Sequence, residues 1–532
     1  MPCGVKFVVV TGGVLSGLGK GLFMSSLGRL LQSKGYKVIP IKIDPYVNID
    51  AGTMNPTEHG EVFVMDDGSE VDMDLGNYER FLGLKMTTDS NITTGKIFKA
   101  VIDKERKGDY LGKTVQLIPH VTGELQEWYK KVAKDSGAEI ELIEIGGTVG
   151  DIENQIFLES VRELSLEEDV VFIHCTLVPQ LKVVGEQKTK PTQQSVRMLR
   201  EMGITPDFIF CRSERILLDN IQKKLSRFCG VDPEYVLSGP DLDNIYEIPL
   251  VLERQGVSEK VLEKFGLRER EKDMREWKEI VEKMNNPKGK IKIAMTGKYM
   301  YLHDSYVSIR EALRHAFGNL GYDAEIKWIE TTDIEEGKLK VEDALKGMKG
   351  IIVPGGFGSR GTEGKIECIK YARENKIPFL GLCLGFQMAV IDYARNVCDL
   401  SGANSTEVDS KTPYPVIDIL PEQKKINEKG GTMRLGAYPA VLKEGTLVRK
   451  LYGKEKISER HRHRYEVNPD YIDKLEKNGL IFSGVSPDRR LMEFLEIPKH
   501  KFFAATQAHP EFTTSLLKPN PMFLGFAKAC ID

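Results

Sequence analysis

The first half of the sequence alternates short apolar runs with longer stretches in which apolar residues recur at helical spacing. Runs of the length and composition of buried parallel strands occur at 5–11, 36–43, 140–145, 170–175 and 208–211. Strands that alternate with helices form parallel sheets covered by helices on both faces. The pattern therefore predicts a doubly wound α/β domain whose ligands bind beyond the carboxyl ends of its strands.

The composition shifts to alternating charge after residue 267, and apolar residues recur at helical spacing from Met274 to Met284. We expect one amphipathic linker helix there. Apolar runs at 291–296 and 351–353 and a helical stretch at 308–320 then begin a second α/β sheet. The fold class predicted is α/β, with two doubly wound parallel-sheet domains divided as 1–267, a linker at 268–290, and 291–532.

Length and composition limit the possible functions. A chain of 532 residues is too long for one core, and its net charge of −3 disfavours general binding of nucleic acid. The eight cysteines include no CxxC pair, which indicates a reducing compartment. We find neither a leader-like N-terminus nor an apolar run of about 20 residues. We therefore expect a cytoplasmic protein with no membrane partner.

The sequence Gly-Leu-Cys-Leu-Gly at 381–385 follows an apolar run and precedes a helical stretch. A nucleophile between small residues at a strand-to-helix turn is the nucleophile-elbow pattern, with Cys383 in place of serine. A lone cysteine is more often a packing residue, but His509 and Glu511 supply a base and a group to orient it. In an extended chain these two residues face the same side. The combination predicts a catalytic thiolate.

A glycine-rich loop with Lys20 joins the first predicted strand to a helix, an arrangement that cradles phosphates. Its spacing departs from the usual motif, and Gly21 replaces the hydroxyl residue that binds magnesium. Metal ligands must then come from elsewhere, and Asp72, Asp74 and Glu144 are the candidates. Most acidic residues are only solvated, but Glu144 lies within a buried strand.

Further cations fall at predicted strand ends. A single lysine on a surface is usually only solvated. Together with Lys20, however, these cations are enough to bind two polyphosphates at one sheet edge. They are Lys42, Lys188, Lys190 and Arg212.

The motifs at 381–385 and 507–511, with Pro-Gly-Gly-Phe-Gly at 354–358, resemble the class I glutamine amidotransferases. The motifs at 16–21, 42–46, 59–62, 76–81, 146–153 and 188–193 together resemble the CTP synthase family. This resemblance covers nearly the whole chain. It implies ATP-dependent amination of UTP at C4 with ammonia from glutamine, activation by GTP and inhibition by CTP in pyrimidine nucleotide synthesis. It also implies a homotetramer, a dimer of dimers, and leaves filament assembly open.

The resemblance also assigns residues to roles. For catalysis it implies Cys383, His509, Glu511, Lys20 and Lys42. For ATP it implies Gly17, Leu18, Gly19, Lys20, Gly21, Leu22, Asp74, Arg212, Phe228 and Leu242. For UTP or CTP it implies Ser16, Asp151, Ile152, Glu153, Lys188, Thr189, Lys190, Pro191, Thr192, Gln193 and Lys224. For glutamine it implies Gly356, Leu384, Gly385, Phe386, Gln387, Glu407 and Arg464. For Mg²⁺ it implies Asp74 and Glu144, and for an ammonia gate Pro56, His59 and Val62.

Other interpretations remain open. A cobyrinate-type amidase with the same domain order would need a different acceptor pocket in place of 188–193. A non-catalytic, polymer-forming relative would have damaged chemical groups, and none is missing here. The His-Arg-His-Arg run at 461–464 suggests a phosphate or metal patch, although arginines would repel a cation. The amino-acid sequences at 67–70 and 105–110 resemble those of eukaryotic members of the family more than those of bacterial members.

Overall fold

The structure is a computed structural model that describes residues 4–54, 60–181, 185–271, 273–419 and 433–532. It divides into two compact units. The first contains residues 1–51 and 77–278, and the second contains 52–76 and 279–532. The sequence predicted domains at 1–267 and 291–532, joined by a linker. The compact units differ from this division in that the segment 52–76 belongs to the second unit. The fold of each unit is described separately below.

The sheet of the first unit has seven strands, all parallel, in the order β11-β10-β7-β1-β6-β2-β5. Every residue of β1 is buried, as a strand covered on both faces requires. This confirms the predicted doubly wound sheet. The strands through residue 285 are β1 (Lys6–Gly12), β2 (Val38–Asp44), β3 (Phe63–Val64), β4 (Glu70–Val71), β5 (Asn91–Thr93), β6 (Ile140–Ile145), β7 (Val170–Leu177), β8 (Gln180–Leu181), β9 (Glu186–Gln187), β10 (Phe208–Ser213) and β11 (Val236–Pro240).

Helices cover this sheet, and an apolar core lies between them and the strands. Two helices, Met73–Leu82 and Arg275–Asn285, carry the chain from one unit to the other. The second of them is the predicted amphipathic linker helix. The other α-helices are Lys20–Ser33, Thr94–Lys107, Thr122–Ser136, Gln155–Leu164, Lys190–Glu201, Asp219–Cys229, Ile248–Arg254 and Val257–Lys264, with short 3₁₀ helices at Thr88–Ser90, Ile152–Asn154, Pro233–Tyr235 and Ile245–Glu247 and a wider turn at Leu117–Val121.

The main sheet of the second unit has nine strands in the order β13-β12-β14-β15-β23-β22-β21-β18-β19. The first five are parallel, as predicted, and the other four extend the sheet in antiparallel fashion. The remaining strands form the sheet β16-β17-β20. The strands are β12 (Lys290–Gly297), β13 (Asp323–Glu330), β14 (Gly350–Val353), β15 (Phe379–Leu382), β16 (Ala403–Ser405), β17 (Tyr414–Ile419), β18 (Arg434–Leu442), β19 (Lys456–His463), β20 (Tyr465–Val467), β21 (Ile481–Val485), β22 (Met492–Glu496) and β23 (Phe503–Thr506).

The neighbouring strands β15 and β23 determine where the site lies. Because parallel strands end at the same sheet edge, Cys383 after β15 and His509 after β23 emerge close together. Two apolar cores cover the two faces of the sheet. The helices are Val307–Leu320, Thr331–Glu335, Val341–Leu345, Thr362–Glu374, Leu384–Asn396, Leu447–Tyr452, Ile472–Lys477 and Pro521–Ile531, with 3₁₀ helices at His303–Tyr306, Pro469–Tyr471 and Pro510–Thr513.

We also searched the helices for membrane spans. None of those in the described ranges is long and apolar enough to cross a bilayer.

Candidate active site

Cys383 lies at a strained turn between β15 and the helix Leu384–Asn396. Its φ of 50° is positive, a conformation that costs a non-glycine residue about 1–3 kcal/mol. The flanking glycines are required by space, since a Cβ on Gly385 would lie 2.1 Å from the carbonyl oxygen of Val353 and one on Gly381 would lie 2.9 Å from that of Gly385. The geometry is the predicted nucleophile elbow, with the thiol at a helix N-terminus.

His509 and Glu511 form a buried pair, with His509 Nδ1 and Glu511 Oε1 2.7 Å apart. The contact was expected, but the reason given for it was wrong. The chain is not extended there, because Pro510–Thr513 is a 3₁₀ turn that brings the two side chains together. Burial alone would lower the pKa of His509, but the negative charges of Glu511 and Cys383 raise it to about 10.

The side chains of Cys383 and His509 both lie beside the loop at 354–358. A Cβ on Gly355 would lie 2.9 Å from Cε1 of His509 and 3.5 Å from Cβ of Cys383. These groups line a cavity of about 310 Å³, together with Gly356 and Phe357. The predicted oxyanion loop therefore lies beside the thiol. Backbone N–H groups beside a nucleophile are the kind of donor that stabilises a tetrahedral oxyanion.

The other predicted glutamine contacts do not line this cavity. Gln387 is buried and donates to the carbonyl oxygen of Tyr465 at 3.0 Å, while Glu407 Oε1 accepts from the N–H of Gly358 at 2.9 Å. Glu407 thus fixes the loop at 354–358 in this structure. The rest, which also lie off the cavity wall, are Leu384, Gly385, Phe386 and Arg464.

Part of the cavity wall comes from the N-terminal half of the sequence. Val62, a predicted gate residue, lines the cavity, while Pro56 and His59 lie outside the described residues. Sequence reasoning missed several wall residues. Lys298, Tyr299 and Tyr306 lie in no motif. Glu61 and Arg462 lie in the motifs at 59–62 and 461–464, but neither was assigned to a glutamine site.

The first three residues of the His-Arg-His-Arg run lie at the end of β19, where alternate residues face opposite sides. His461 Nδ1 and His463 Nε2 are 2.9 Å apart, and both rings are buried. Burial, with help from Arg434, lowers the pKa of both histidines well below the usual range. Arg462 instead faces the cavity. Within the described ranges, no three histidine, cysteine or acidic side chains are arranged to hold a metal.

In the first unit, the glycine-rich loop joins β1 to the helix Lys20–Ser33. Gly17 and Gly19 have φ of 75° and 85°, and Leu15 and Ser16 are exposed at the tip. Lys20 is buried and donates to the carbonyl oxygen of Gly147 at 3.0 Å. The lysine therefore lies at the carboxyl end of the sheet, where β1 lies between β6 and β7.

Lys42 and Glu144 form a buried ion pair at the ends of β2 and β6, with Nζ and Oε1 2.8 Å apart. Tyr78 donates to the other oxygen of Glu144. Each carboxylate oxygen has a second lone pair, so the donor set of Glu144 fits a hard cation such as Mg²⁺. The other predicted ligand, Asp74, lies in the first turn of Met73–Leu82, and its N–H donates to Asp72 Oδ1 at 2.9 Å.

The predicted adenosine contacts divide into two groups. Leu242 and Arg212 line a small cavity with Leu18, Gly19 and Leu22 of the glycine-rich loop, and Arg212 also pairs with Asp241 at 2.7 Å. Phe228 is 59% exposed and lies outside this cavity. The structure therefore places one side of the predicted ATP site together and leaves Phe228 apart.

Most of the predicted UTP residues lie in two segments, 151–153 and 188–193, and Ser16 and Lys224 lie elsewhere. Lys188 pairs with Glu186 at 2.6 Å, and Thr192 Oγ1 donates to the carbonyl oxygen of Leu177 at 3.0 Å. Gln193 donates to Thr189 Oγ1 at 3.0 Å. The residues at 151–153 are exposed on a 3₁₀ turn. The others are Lys190, Pro191 and Lys224, of which Lys190 and Lys224 are exposed.

The amidotransferase-like half was compared with known families. The family model described as "Glutamine amidotransferase class-I" matches residues 301–529, which include the elbow and the His–Glu pair. The second unit therefore contains a domain of the class I glutamine amidotransferases. The model described as "CTP synthase N-terminus" matches residues 6–267.

Curated relatives match the whole length. The CTP synthase of Thermococcus gammatolerans is 55% identical over 528 residues, 98% of each chain. That of Archaeoglobus fulgidus is 56% identical over 530 residues, 99% of this chain and 98% of that one. The chain therefore belongs to the CTP synthase family, and it is a glutamine-hydrolysing ligase. Both relatives are archaeal, so the expected likeness to eukaryotic members stays a prediction.

A solved structure, "Trypanosoma brucei CTPS - glutaminase domain with bound acivicin", is 36% identical. It covers 45% of this chain and 94% of that chain, with a TM-score of 0.42.

Proposed function

We propose that the chain makes CTP by phosphorylating UTP at O4 and displacing that phosphate with ammonia released from glutamine. The observation that carries the proposal is the thiol at a strained elbow beside a buried His–Glu pair in a cavity of about 310 Å³. Cys383 attacks the amide carbon, and His509 gives its proton to the departing ammonia. Water then releases glutamate from the thioester, and the loop containing Gly356 stabilises the oxyanion.

We assign the amination to the N-terminal half of the sequence. Lys20 ends the loop that follows β1, and Lys42 lies near the carboxyl end of β2. Both cations are therefore at the edge where a parallel sheet binds its ligands. Lys20 neutralises charge on the transferred γ-phosphoryl group, and Lys42 is a second catalytic cation for the same transfer. Mg²⁺, held by Asp74 and Glu144, would supply charge neutralisation on the phosphates. The phosphorylated O4 then leaves C4 of UTP as inorganic phosphate when ammonia adds.

The substrate contacts are proposed on the same basis. Arg212, Leu242 and the loop at 17–22 contact ATP, and 188–193 with Ser16 and Lys224 contact UTP. The turn at 151–153 is assigned to product CTP as inhibitor, and GTP is assigned as activator of glutamine hydrolysis. We further propose ligase and amidotransferase domains at 1–267 and 291–532, a tetrameric assembly, and a cytoplasmic location, the last supported by seven unpaired cysteines in the described chain.

Product analysis tests the proposal. Purified protein is incubated with ATP, UTP, Mg²⁺, GTP and glutamine, with each omitted in turn, and CTP, ADP and glutamate are measured. Cys383→Ala should lose glutamine use but keep amination with ammonium at alkaline pH, whereas Lys20→Ala should lose both. Equal loss of both activities in Cys383→Ala would argue against two separate sites.

A further inference from the structure

Arg460 of β19 is a cation with only 1% of its surface exposed. Burying a charge is costly unless the charge is fully partnered, so the partners of such a residue indicate what it holds in place. We propose that Arg460 is a positioning residue for His509, and that it acts by fastening the segment 60–71 to the turn Pro510–Thr513. The inference rests on the proposed role of His509 in glutamine hydrolysis.

Arg460 contacts the catalytic segment through both its backbone and its side chain. Its carbonyl oxygen accepts from the N–H of His509 at 2.7 Å. Its Nη1 donates to the carbonyl oxygens of Phe512 at 3.3 Å and of Val64 at 3.1 Å, and its Nε donates to Asp66 Oδ1 at 2.6 Å. One side chain therefore connects the turn Pro510–Thr513 to a segment that lies almost 400 positions before Arg460 in the sequence.

Aromatic packing follows the same route. The ring of Phe63 meets that of Phe512 edge-on, with centroids 5.1 Å apart. Phe512 in turn stacks on the imidazole of His509, with centroids 5.2 Å apart and planes within 20°. The guanidinium of Arg460 lies 5.3 Å from the Phe63 ring centre. His509 is thus held by Glu511 at Nδ1 and by Phe512 on one face.

The segment 60–71 is itself well anchored in the second unit. The backbone carbonyl oxygen of Asp66 accepts from the N–H of Ala437 at 2.8 Å, and Glu70 Oε1 accepts from Arg462 Nε at 2.7 Å. The approach to β18 is so close that a Cβ on Gly436 would lie 2.6 Å from the backbone nitrogen of Gly68. The segment is therefore a fixed part of the cavity wall against which the histidine is braced.

The contacts require the planar guanidinium. Arg460 donates to three acceptors on two different segments, which a fork of five N–H groups can reach at once. A lysine would keep the charge and one contact, but it would lose the rest. Because a misplacement of about 1 Å costs roughly 100-fold in rate, loosening this brace should lower turnover more than substrate binding.

The test uses Arg460→Met and Arg460→Lys in the full chain. We expect kcat for glutamine hydrolysis to fall about 10- to 100-fold in Arg460→Met and less in Arg460→Lys, with KM for glutamine within about threefold. CTP formation from ammonium should stay within about twofold. Alkylation of Cys383 by iodoacetamide at pH 7 should slow in parallel with kcat, since a misplaced histidine activates the thiol less.

Coupling between Arg460 and the segment 60–71 is tested by a double-mutant cycle of Asp66→Asn and Arg460→Lys. This cycle does not depend on Arg460→Met and can be measured even if that variant does not fold. Asp66→Asn should lower kcat in the wild-type background and have little further effect in the Arg460→Lys background. Arg373→Met is the control, since it breaks the ion pair of a half-buried arginine with the buried Asp392 at 2.8 Å, away from the cavity. It should cost stability and leave the ratio of glutamine-dependent to ammonium-dependent activity unchanged.

The outcomes separate the two claims. Equal losses with glutamine and ammonium in the Arg460 variants, additive effects in the cycle, or the same selective loss in Arg373→Met would overturn the positioning role. Full glutamine hydrolysis in Cys383→Ala or His509→Ala would instead overturn the proposed function. A selective fall in kcat that Arg460→Lys partly restores supports the inference.

Discussion

Glu511 controls the charge of His509, the proposed catalytic base, and replacing Glu511 with glutamine should change the pH dependence of glutamine hydrolysis. The negative charges of Glu511 and Cys383 raise the pKa of His509 to about 10, against the effect of burial. Glu511→Gln keeps the shape of the side chain and removes one of the two charges. The imidazole should then lose its proton at a lower pH.

The magnitude follows from the structure. The difference between a pKa of about 10 and the usual 6.5 corresponds to about 5 kcal/mol in favour of the imidazolium. Coulomb's law gives about 4 kcal/mol for a unit charge at 4 Å with an effective dielectric constant of about 20, so Glu511, at 2.7 Å, accounts for a large part. Because the folded pKa is the higher one, this contribution to stability is complete below about pH 6.5 and is lost as the pH rises through about 10.

The assay is glutamate release between pH 6 and 10.5, with ammonium-dependent CTP formation measured in the same preparations. We expect kcat/KM for glutamine to fall about 100- to 10,000-fold, as when a triad carboxylate is replaced by its amide, and its alkaline limb to move to lower pH. Glu496→Gln is a matched control, since Glu496 is equally buried but accepts from the N–H groups of Leu447 and Val448. An unchanged alkaline limb in Glu511→Gln would refute the reasoning.

Three further predictions concern buried charges. Burial raises the pKa of Glu141 well above its usual range, so stability should fall as pH rises above about 4.5, and Glu141→Met should stabilise the protein by about 1–3 kcal/mol in urea unfolding at pH 8. Burial lowers the pKa of Lys365 to about 8, so stability should rise between pH 8 and 10.5, and Lys365→Met should be more stable at pH 7 by about 2–3 kcal/mol. Lys42→Met removes the partner of Glu144 and should abolish amination with either nitrogen donor while glutamine hydrolysis stays within about threefold. Retained CTP formation in Lys42→Met, or unchanged pH–stability curves in the other two variants, would contradict these predictions.

Much of the fold could be predicted because local pattern and tertiary structure agree. The strand predicted at 140–145 is observed as Ile140–Ile145, and the helix predicted at 308–320 as Val307–Leu320. The elbow followed from the spacing of glycines around Cys383, since the close contact of Gly385 with Val353 leaves no room for a side chain. The His509–Glu511 contact was also expected, although a 3₁₀ turn forms it instead of an extended strand.

The antiparallel extension of the second sheet and the segment 60–71 could not be predicted in the same way. Strands β3 and β4 have two residues each, too few for periodicity to show. The two strands pair only with each other in the described chain, and the segment's further hydrogen bonds reach residues of β18 and β19. No local signal connects positions so far apart in the sequence. Phe63 and Arg460 therefore gave no indication of a shared role, although each is buried.

The position of β19 explains why these distant segments meet. It is the last strand of the nine-stranded sheet, and a strand at the edge presents backbone groups that need a cover. The catalytic segment supplies part of that cover, since the N–H of His509 bonds to the carbonyl oxygen of Arg460. The segment 60–71 contacts the same strand through the Arg460 side chain, which donates to the carbonyl oxygen of Val64 and to Asp66 Oδ1. The backbone and the side chain of Arg460 thus connect β19 to His509 and to the segment 60–71, so a substitution that displaces this part of β19 should loosen His509 as well.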